Sequence, residues 1–193
     1  MTTITAELLT DIRSKFAHVE ECPFTGPRVF FENAGGALTL NAVVETSARF
    51  AAIPDNQGRD NPASAALGEI IAKAREDAAL FFNAPEGKIV VGESGTELLF
   101  RMLADACLGS EGGVVLGSTL EHPASRSACA RWSEVSGKRH VLVEHDDATG
   151  VVSAEAYAAA VTPEVAVATI LHTSPVTGMG MDVPAIAAAM AEA

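Results

Sequence analysis

The later part of the chain alternates between short apolar runs and segments of helical period. Short runs rich in β-branched residues occupy residues 88–92, 113–117, 139–144 and 165–172. In the segments that follow them, apolar residues recur every three or four positions, over residues 96–108, 123–135, 153–161 and 182–193. Strands that alternate with helices are typical of a parallel sheet with helical crossovers. The sequence therefore predicts an α/β fold with a mostly parallel sheet.

The earlier part of the chain is predominantly helical. Residues 1–27 read as an amino-terminal helical segment, and residues 28–31 read as a short strand that runs into a tight Gly35-Gly36 turn. Residues 38–53 have helical period, and a long amphipathic helix then ends near Pro85. The chain has no repeat, linker or low-complexity tract, so we predict one unit over residues 1–193 without an internal boundary.

Composition and charge exclude several classes of function. Apolar residues make up 48% of the chain, but no run approaches the roughly 18 consecutive apolar residues of a membrane helix. The formal net charge of −12 would repel a polyphosphate backbone, which argues against a nucleic-acid partner. The first residues mix charges where a signal peptide is apolar, and the 3 cysteines lack metal-binding spacing. We therefore expect a cytoplasmic protein without a membrane segment or a metal.

The ends of the predicted strands carry the candidate chemistry, because ligands of parallel sheets gather at the carboxyl ends of their strands. Ser94, Gly95 and Thr96 follow the first strand and begin a helix, where free N–H groups and the positive dipole end favour a phosphate. The same three residues also suit an ordinary helix cap, and their spacing leaves both interpretations open. Neither GxxxxGK[ST] nor GxGxxG is present.

The next two strand ends are also polar. His122 follows the second strand, where an imidazole can stack on a planar ring or move a proton, although a lone histidine more often has a structural role. The last strand is followed by Ser174, Thr177 and two glycines, a composition that allows close approach to a ligand.

Taken in order, these segments resemble the class V aminotransferases, the fold-type I pyridoxal-phosphate enzymes that include cysteine desulfurases and selenocysteine lyases. The resemblance rests on five segments: "FFENAGGALTL", "GRDNPASAALGEIIAKAREDAALFFNAP", "VVGESGTELLF", "EHPAS" and "ILHTSPVTGMGMDVPAI". It implies pyridoxal 5'-phosphate as the cofactor and an amino acid as the substrate.

The resemblance also implies residue roles. Gly95 and Thr96 would bind the cofactor phosphate with Ser94 beside them, and His122 would stack on the pyridine ring as a catalytic residue. Pro175 stands where the family usually has an asparagine that contacts the cofactor's phenolic oxygen, so Ser174 or Thr177 would replace it. On the substrate side of the pocket the resemblance places Asn33, Gly35 and Gly36.

Two expected residues have no counterpart. The family's pyridinium-pairing aspartate and its Ser-x-His-Lys segment, which supplies the Schiff-base lysine, lie downstream of Ala193. We therefore interpret the chain as a truncated amino-terminal part of the cofactor-binding large domain. The complete protein is expected to be a homodimeric transferase or lyase, and the 193-residue chain alone is expected to be inactive. The alternative is a non-catalytic homologue or half-chain that acts as a binding module.

Overall fold

The computed structural model describes residues 4–53 and 58–193. The chain divides into two compact units, Met1–Ile89 and Val90–Ala193, and each is described by itself. All the residues that the sequence places near the cofactor belong to the second unit.

The first unit consists of helices and one small hairpin. Its elements are α1 (Ala6–Ser14), β1 (Glu21–Cys22), β2 (Gly26–Pro27), α2 (Asn41–Ala51) and α3 (Pro62–Phe81). The Thr5 side chain caps α1, and Asn61 caps α3 ahead of a proline in the first helical turn. These caps show why the polar residues Thr5 and Asn61 begin helices, whereas α2 has no side-chain cap.

The second unit is a three-stranded parallel sheet with helical crossovers. Its elements are α4 (Gly95–Gly109), β3 (Val114–Ser118), α5 (Pro123–Val135), β4 (Arg139–Val143), α6 (Ala154–Ala160), β5 (Val165–Ala168) and α7 (Val183–Glu192). The strand order is β4-β3-β5, and β3 pairs in parallel with both neighbours. The predicted α/β fold with a parallel sheet is confirmed.

The sheet is covered on both faces, and alternate residues of β3 separate the two cores. Val115 belongs to a cluster with residues of α4 and α5, which include Leu103 and Cys129. Leu116 belongs to a second cluster with Tyr157 of α6 and Ile186 of α7. Because successive side chains of a strand point to opposite faces, one fully buried strand supports both layers.

Two predicted strands are wrong. Residues 28–31 and 88–92 have irregular backbone, and the side chains of Val90 and Val91 are 70% and 73% exposed. β-Branched residues favour an extended backbone, but a strand forms only where a neighbour satisfies its N–H and C=O groups. No strand in the described part of the chain pairs with either segment. The last strand also ends earlier than predicted, at Ala168.

Among the described residues, no helix combines the length and the apolar composition needed to cross a lipid bilayer.

Gly112 sets the entry to the central strand, and we predict that Gly112→Ala destabilises the fold. Its φ is +101°, and an added Cβ would lie 2.7 Å from the Glu164 carbonyl oxygen, which accepts hydrogen bonds from the amides of Gly113 and Val114. Gly137 is a matched control, with φ +71° and nothing near its Cβ position. In urea titrations Gly137→Ala should cost about 1 kcal/mol, and Gly112→Ala a further ~1–3 kcal/mol. Equal losses would contradict the steric argument.

The three cysteines should differ sharply in reactivity. The hydroxyl of Thr25 and the nearby amides of Phe24 and Thr25 lower the pKa of Cys22, whereas burial raises the pKa of Cys129 to about 11. Burial also raises the pKa of Cys107. Because the thiolate is the nucleophile, iodoacetamide at pH 8 should modify Cys22 first and the other two only in urea. Peptide mapping that finds Cys129 modified as fast as Cys22 in the native chain would refute this order.

Candidate functional site

The amino terminus of α4 presents two free backbone donors. Ser94 is the residue that caps the helix: its backbone is extended and its Oγ accepts a hydrogen bond from the Glu97 amide at 3.1 Å. The first intrahelical bond joins the Leu98 amide to the Ser94 carbonyl oxygen. Helix geometry then leaves the N–H groups of Gly95 and Thr96 without an intrahelical partner. The capping role that the sequence left open for Thr96 falls to Ser94 instead.

The surroundings of these donors suit an anion. Ser94, Gly95 and Thr96 are exposed, and an added Cβ at Gly95 would meet nothing within 4 Å. The helix dipole contributes positive potential at this end. The two N–H groups, the Thr96 hydroxyl and the hydroxyl hydrogen of Ser94 together match the acceptor oxygens of a phosphate. A phosphate-bearing cofactor therefore fits the residues that are present.

Glu97 is the acidic residue in the first turn of α4, and it is paired with a cation. Its Oε1 forms an ion pair with Arg101 Nε at 2.5 Å. Its Oε2 is buried against Gly92, where an added Cβ would lie 2.3 Å from that oxygen. Gly92 thus allows the loop to fold over the carboxylate.

His122 is held in a defined orientation at the start of α5. Its Nδ1 accepts a hydrogen bond from the Ala124 amide at 3.0 Å, and Pro123 occupies the first helical position. An accepting Nδ1 places the proton of the neutral imidazole on Nε2. The residue is exposed, so its ring is available to a ligand.

The loop after β5 is fastened by the two hydroxyls that the sequence assigned to the cofactor. Ser174 is buried; its Oγ donates to the Leu120 carbonyl oxygen at 3.4 Å and accepts from the amides of Val176 and Thr177. Thr177 Oγ1 donates to the Gly150 carbonyl oxygen at 3.0 Å. Both hydroxyls are engaged within the chain, so a contact with the phenolic oxygen in place of Pro175 stays a prediction. Ser174 does bring this loop beside the residues that precede His122.

The substrate-side residues lie in the first unit. The amides of Gly35 and Gly36 both donate to the Glu32 carbonyl oxygen at 3.1 Å, which forms the tight turn expected from the sequence. Asn33 lines a mostly apolar cavity of about 230 Å³ together with Phe16 and Leu38. Their role toward a substrate stays a prediction.

Sequence reasoning missed two polar residues near the end of β3. Glu121 is 5% exposed, and its Oε1 has no hydrogen-bond partner within the described residues. Burial, with the Glu121 charge as a smaller cause, raises the pKa of Tyr157. His145 contacts Thr119 from the neighbouring strand end. The only available signal was a polar residue at the end of an apolar run, which does not reveal which side chain turns inward.

Three of the four lysines make contacts within the chain, and the lack of a Schiff-base lysine stays a prediction. Lys15 pairs with Asp11, and Lys73 pairs with Asp77 at 2.6 Å. Lys138 donates to the carbonyl oxygens of Ser110 and Gly112. In the residues that the structure describes, no group of three His, Cys, Asp or Glu side chains could hold a metal ion.

Solved structures share this fold. The apo cysteine desulfurase from Thermococcus onnurineus NA1 matches with a TM-score of 0.79 at 18% identity, over 100% of this chain and 46% of that one. The Escherichia coli cysteine desulfurase CsdA matches with a TM-score of 0.67 at 22% identity, over 93% of this chain and 45% of its own. A C-DES mutant with glycine covalently linked to the PLP cofactor matches with a TM-score of 0.67 at 16% identity, over 94% of this chain and 46% of that one. The chain spans about half the length of these proteins.

The sequence itself identifies the family. No match was found among curated proteins. The family model described as aminotransferase class-V matches residues 29–193, which include all five segments on which the resemblance rested. This family consists of pyridoxal-phosphate enzymes, and its fold-type I architecture agrees with the parallel sheet of the second unit. The chain belongs to the class V aminotransferase family.

Proposed function

We propose that this chain forms part of a pyridoxal-phosphate enzyme that acts on an amino acid as a transferase or lyase, in the manner of a cysteine desulfurase. The single observation that carries the proposal is the first turn of α4. Ser94 satisfies the Glu97 amide, which leaves the Gly95 and Thr96 amides exposed beside a free hydroxyl. A family of pyridoxal-phosphate enzymes supplies a ligand whose phosphate suits those donors.

Gly95 and Thr96 hold the phosphate in this proposal. Their two amides and the Thr96 hydroxyl donate to phosphate oxygens, and the dipole of α4 adds to the attraction. The pairing of Glu97 with Arg101 removes most of the repulsion that a carboxylate in the first turn would cause. Glycine at position 95 leaves room for the phosphate to approach the backbone closely.

His122 orients and protects the reacting part of the site. The bound cofactor supplies an electron sink for cleavage at the substrate's α-carbon. The imidazole, fixed by the Ala124 amide, stacks on the ring and keeps its proton at Nε2, where it can be donated to a neighbouring acceptor. The stacked ring also excludes water from that face.

The names of the structural relatives support a proposal for the substrate class. The two solved cysteine desulfurases, and the cystine C-S lyase C-DES in complex with cysteine persulfide, act on sulfur-containing amino acids. We infer a sulfur-containing amino acid for this protein as well, with a homodimeric state and a cytoplasmic location as further predictions. The three cysteines of this chain take no part in the proposal, because two are buried and the third lies in the β1–β2 hairpin.

Replacing Thr96 by valine tests the phosphate site. In the protein expressed from its complete reading frame, Thr96→Val removes one hydrogen bond to a charged group, which should weaken pyridoxal-phosphate binding about tenfold or more. The melting temperature should change little, because Thr96 does not cap the helix. Thr96→Ser keeps the hydroxyl and should retain the affinity.

Ser94→Ala, in the same turn, removes the cap together with one hydroxyl donor, so it should lose stability where Thr96→Val should not. Loss of the cap should lower the free energy of unfolding by about 1 kcal/mol. Spectroscopic titration of the apoprotein with pyridoxal phosphate, together with thermal melts, separates the two losses. Unchanged affinity in Thr96→Val, with a lowered melting temperature, would mean that Thr96 has only a structural role.

A further inference from the structure

The turn between β3 and His122 is short and tightly closed. The Glu121 amide donates to the Ser118 carbonyl oxygen at 3.4 Å, which leaves Thr119 and Leu120 as its two central residues. His122 follows at once and caps α5. The position of the imidazole therefore depends on how firmly these two central residues are held.

Thr119 is held by the end of β4. Its amide donates to the Val143 carbonyl oxygen at 3.1 Å, and its hydroxyl oxygen accepts from the His145 amide at 3.1 Å. The Thr119 hydroxyl also lies 2.8 Å from His145 Nδ1. The same hydroxyl lies 3.5 Å from the Val143 carbonyl oxygen, to which it can donate. On the other side of the imidazole, His145 Nε2 lies 3.3 Å from Asp147 Oδ1. The Thr119 side chain is therefore attached to both the backbone and the imidazole at the end of β4.

Leu120 is held from the opposite side of the sheet. Its side chain is 1% exposed in the core, and its carbonyl oxygen accepts a hydrogen bond from the buried Ser174 hydroxyl. The turn is thus fastened to the end of β4 on one side and to the loop that follows β5 on the other. Of these two attachments of the turn, only the one to the end of β4 includes an imidazole side chain.

We propose that Thr119 and His145 are positioning residues for His122. Their contact fixes the turn, and the turn fixes the imidazole that stacks on the cofactor in the function proposed above, on which this inference rests. His145 acts through Thr119 and need not touch the ligand. The contact matters because an imidazole that samples several orientations loses stacking and dilutes the Nε2–H form that the Ala124 amide selects.

The test follows the His122 ring directly. Nitrogen-15 NMR of the histidine side chains in the protein without cofactor should report a single His122 signal in the Nε2–H tautomer. Thr119→Val and His145→Leu should each broaden or shift that signal, and each should weaken pyridoxal-phosphate binding about threefold to tenfold. Thr119→Ser retains the hydroxyl and should restore both properties. The double variant should lose no more than either single variant, because the residues act as one unit.

A second hydroxyl–imidazole pair serves as the control. His172 Nδ1 lies 3.1 Å from Oγ1 of the adjacent residue Thr173, and this contact is exposed. Thr173→Val removes the same type of contact without removing a group that contacts Thr119 or His145, and it should leave the His122 signal unchanged. If Thr119→Val and His145→Leu lower the melting temperature but leave the His122 signal as in wild type, the positioning role is wrong.

The two readouts separate this inference from the proposed function. If the wild-type protein does not bind pyridoxal phosphate, the proposed function is wrong. The NMR comparison without cofactor would still decide whether Thr119 and His145 position His122. If the wild type binds the cofactor normally and neither substitution changes the His122 signal, only this inference is wrong.

Discussion

The parallel pairing of β3 with two neighbours is the constraint on which the second unit depends. Its five residues are buried, and their backbone groups are satisfied on one side by β4 and on the other by β5. Parallel strands end at the same edge of a sheet, so residues far apart in sequence meet there. His145 thus contacts Thr119, and Ser174 contacts Leu120, in the turn that leads to His122. In our proposal these contacts position the His122 imidazole.

An acidic protein can still bind an anionic cofactor because the relevant field is local. The formal net charge of −12 acts through solvent, where charges more than about 8 Å apart are largely screened at physiological ionic strength. Within that distance the first turn of α4 presents two amide donors, two hydroxyls and a positive dipole end. The one carboxylate in the turn is paired with Arg101. The whole-chain charge therefore argues against nucleic acid without arguing against a single phosphate.

Periodicity predicted the helices of the second unit well, because each one begins at a local side-chain cap. The predicted amino-terminal helical segment over residues 1–27 was only partly right, since α1 ends at Ser14 and a β-hairpin follows. The predicted bounds of α5 match the observed Pro123–Val135, and α4 differs by one residue at each end. Residues 88–92 carry the same β-branched composition as β3 but remain irregular, since strand formation needs a partner that composition does not reveal. The residues that cap a helix can be recognised in the sequence, whereas the pairing of strands is determined by the tertiary structure.

The same difference between local signals and tertiary packing applies to the residues of the candidate site. Ser94, Gly95, Thr96 and His122 were recognisable because helix starts and strand ends have sequence signatures. His145 and Glu121 were not, because their importance comes from which neighbour they face. Ser174 was recognised, but its hydroxyl fastens a loop to Leu120 and was expected to face the cofactor. Sequence patterns predict which residues stand at a ligand edge, and only packing shows how each hydroxyl is engaged.

The most direct test of the central claim is to follow the backbone amides by NMR while pyridoxal phosphate is added. The account predicts that the amides of Gly95 and Thr96 shift most and that the Glu97 amide, already bonded to Ser94, shifts less. Inorganic phosphate at higher concentration should perturb the same two amides. Saturable binding that leaves Gly95 and Thr96 unshifted while other amides move would contradict the assignment of the phosphate to α4.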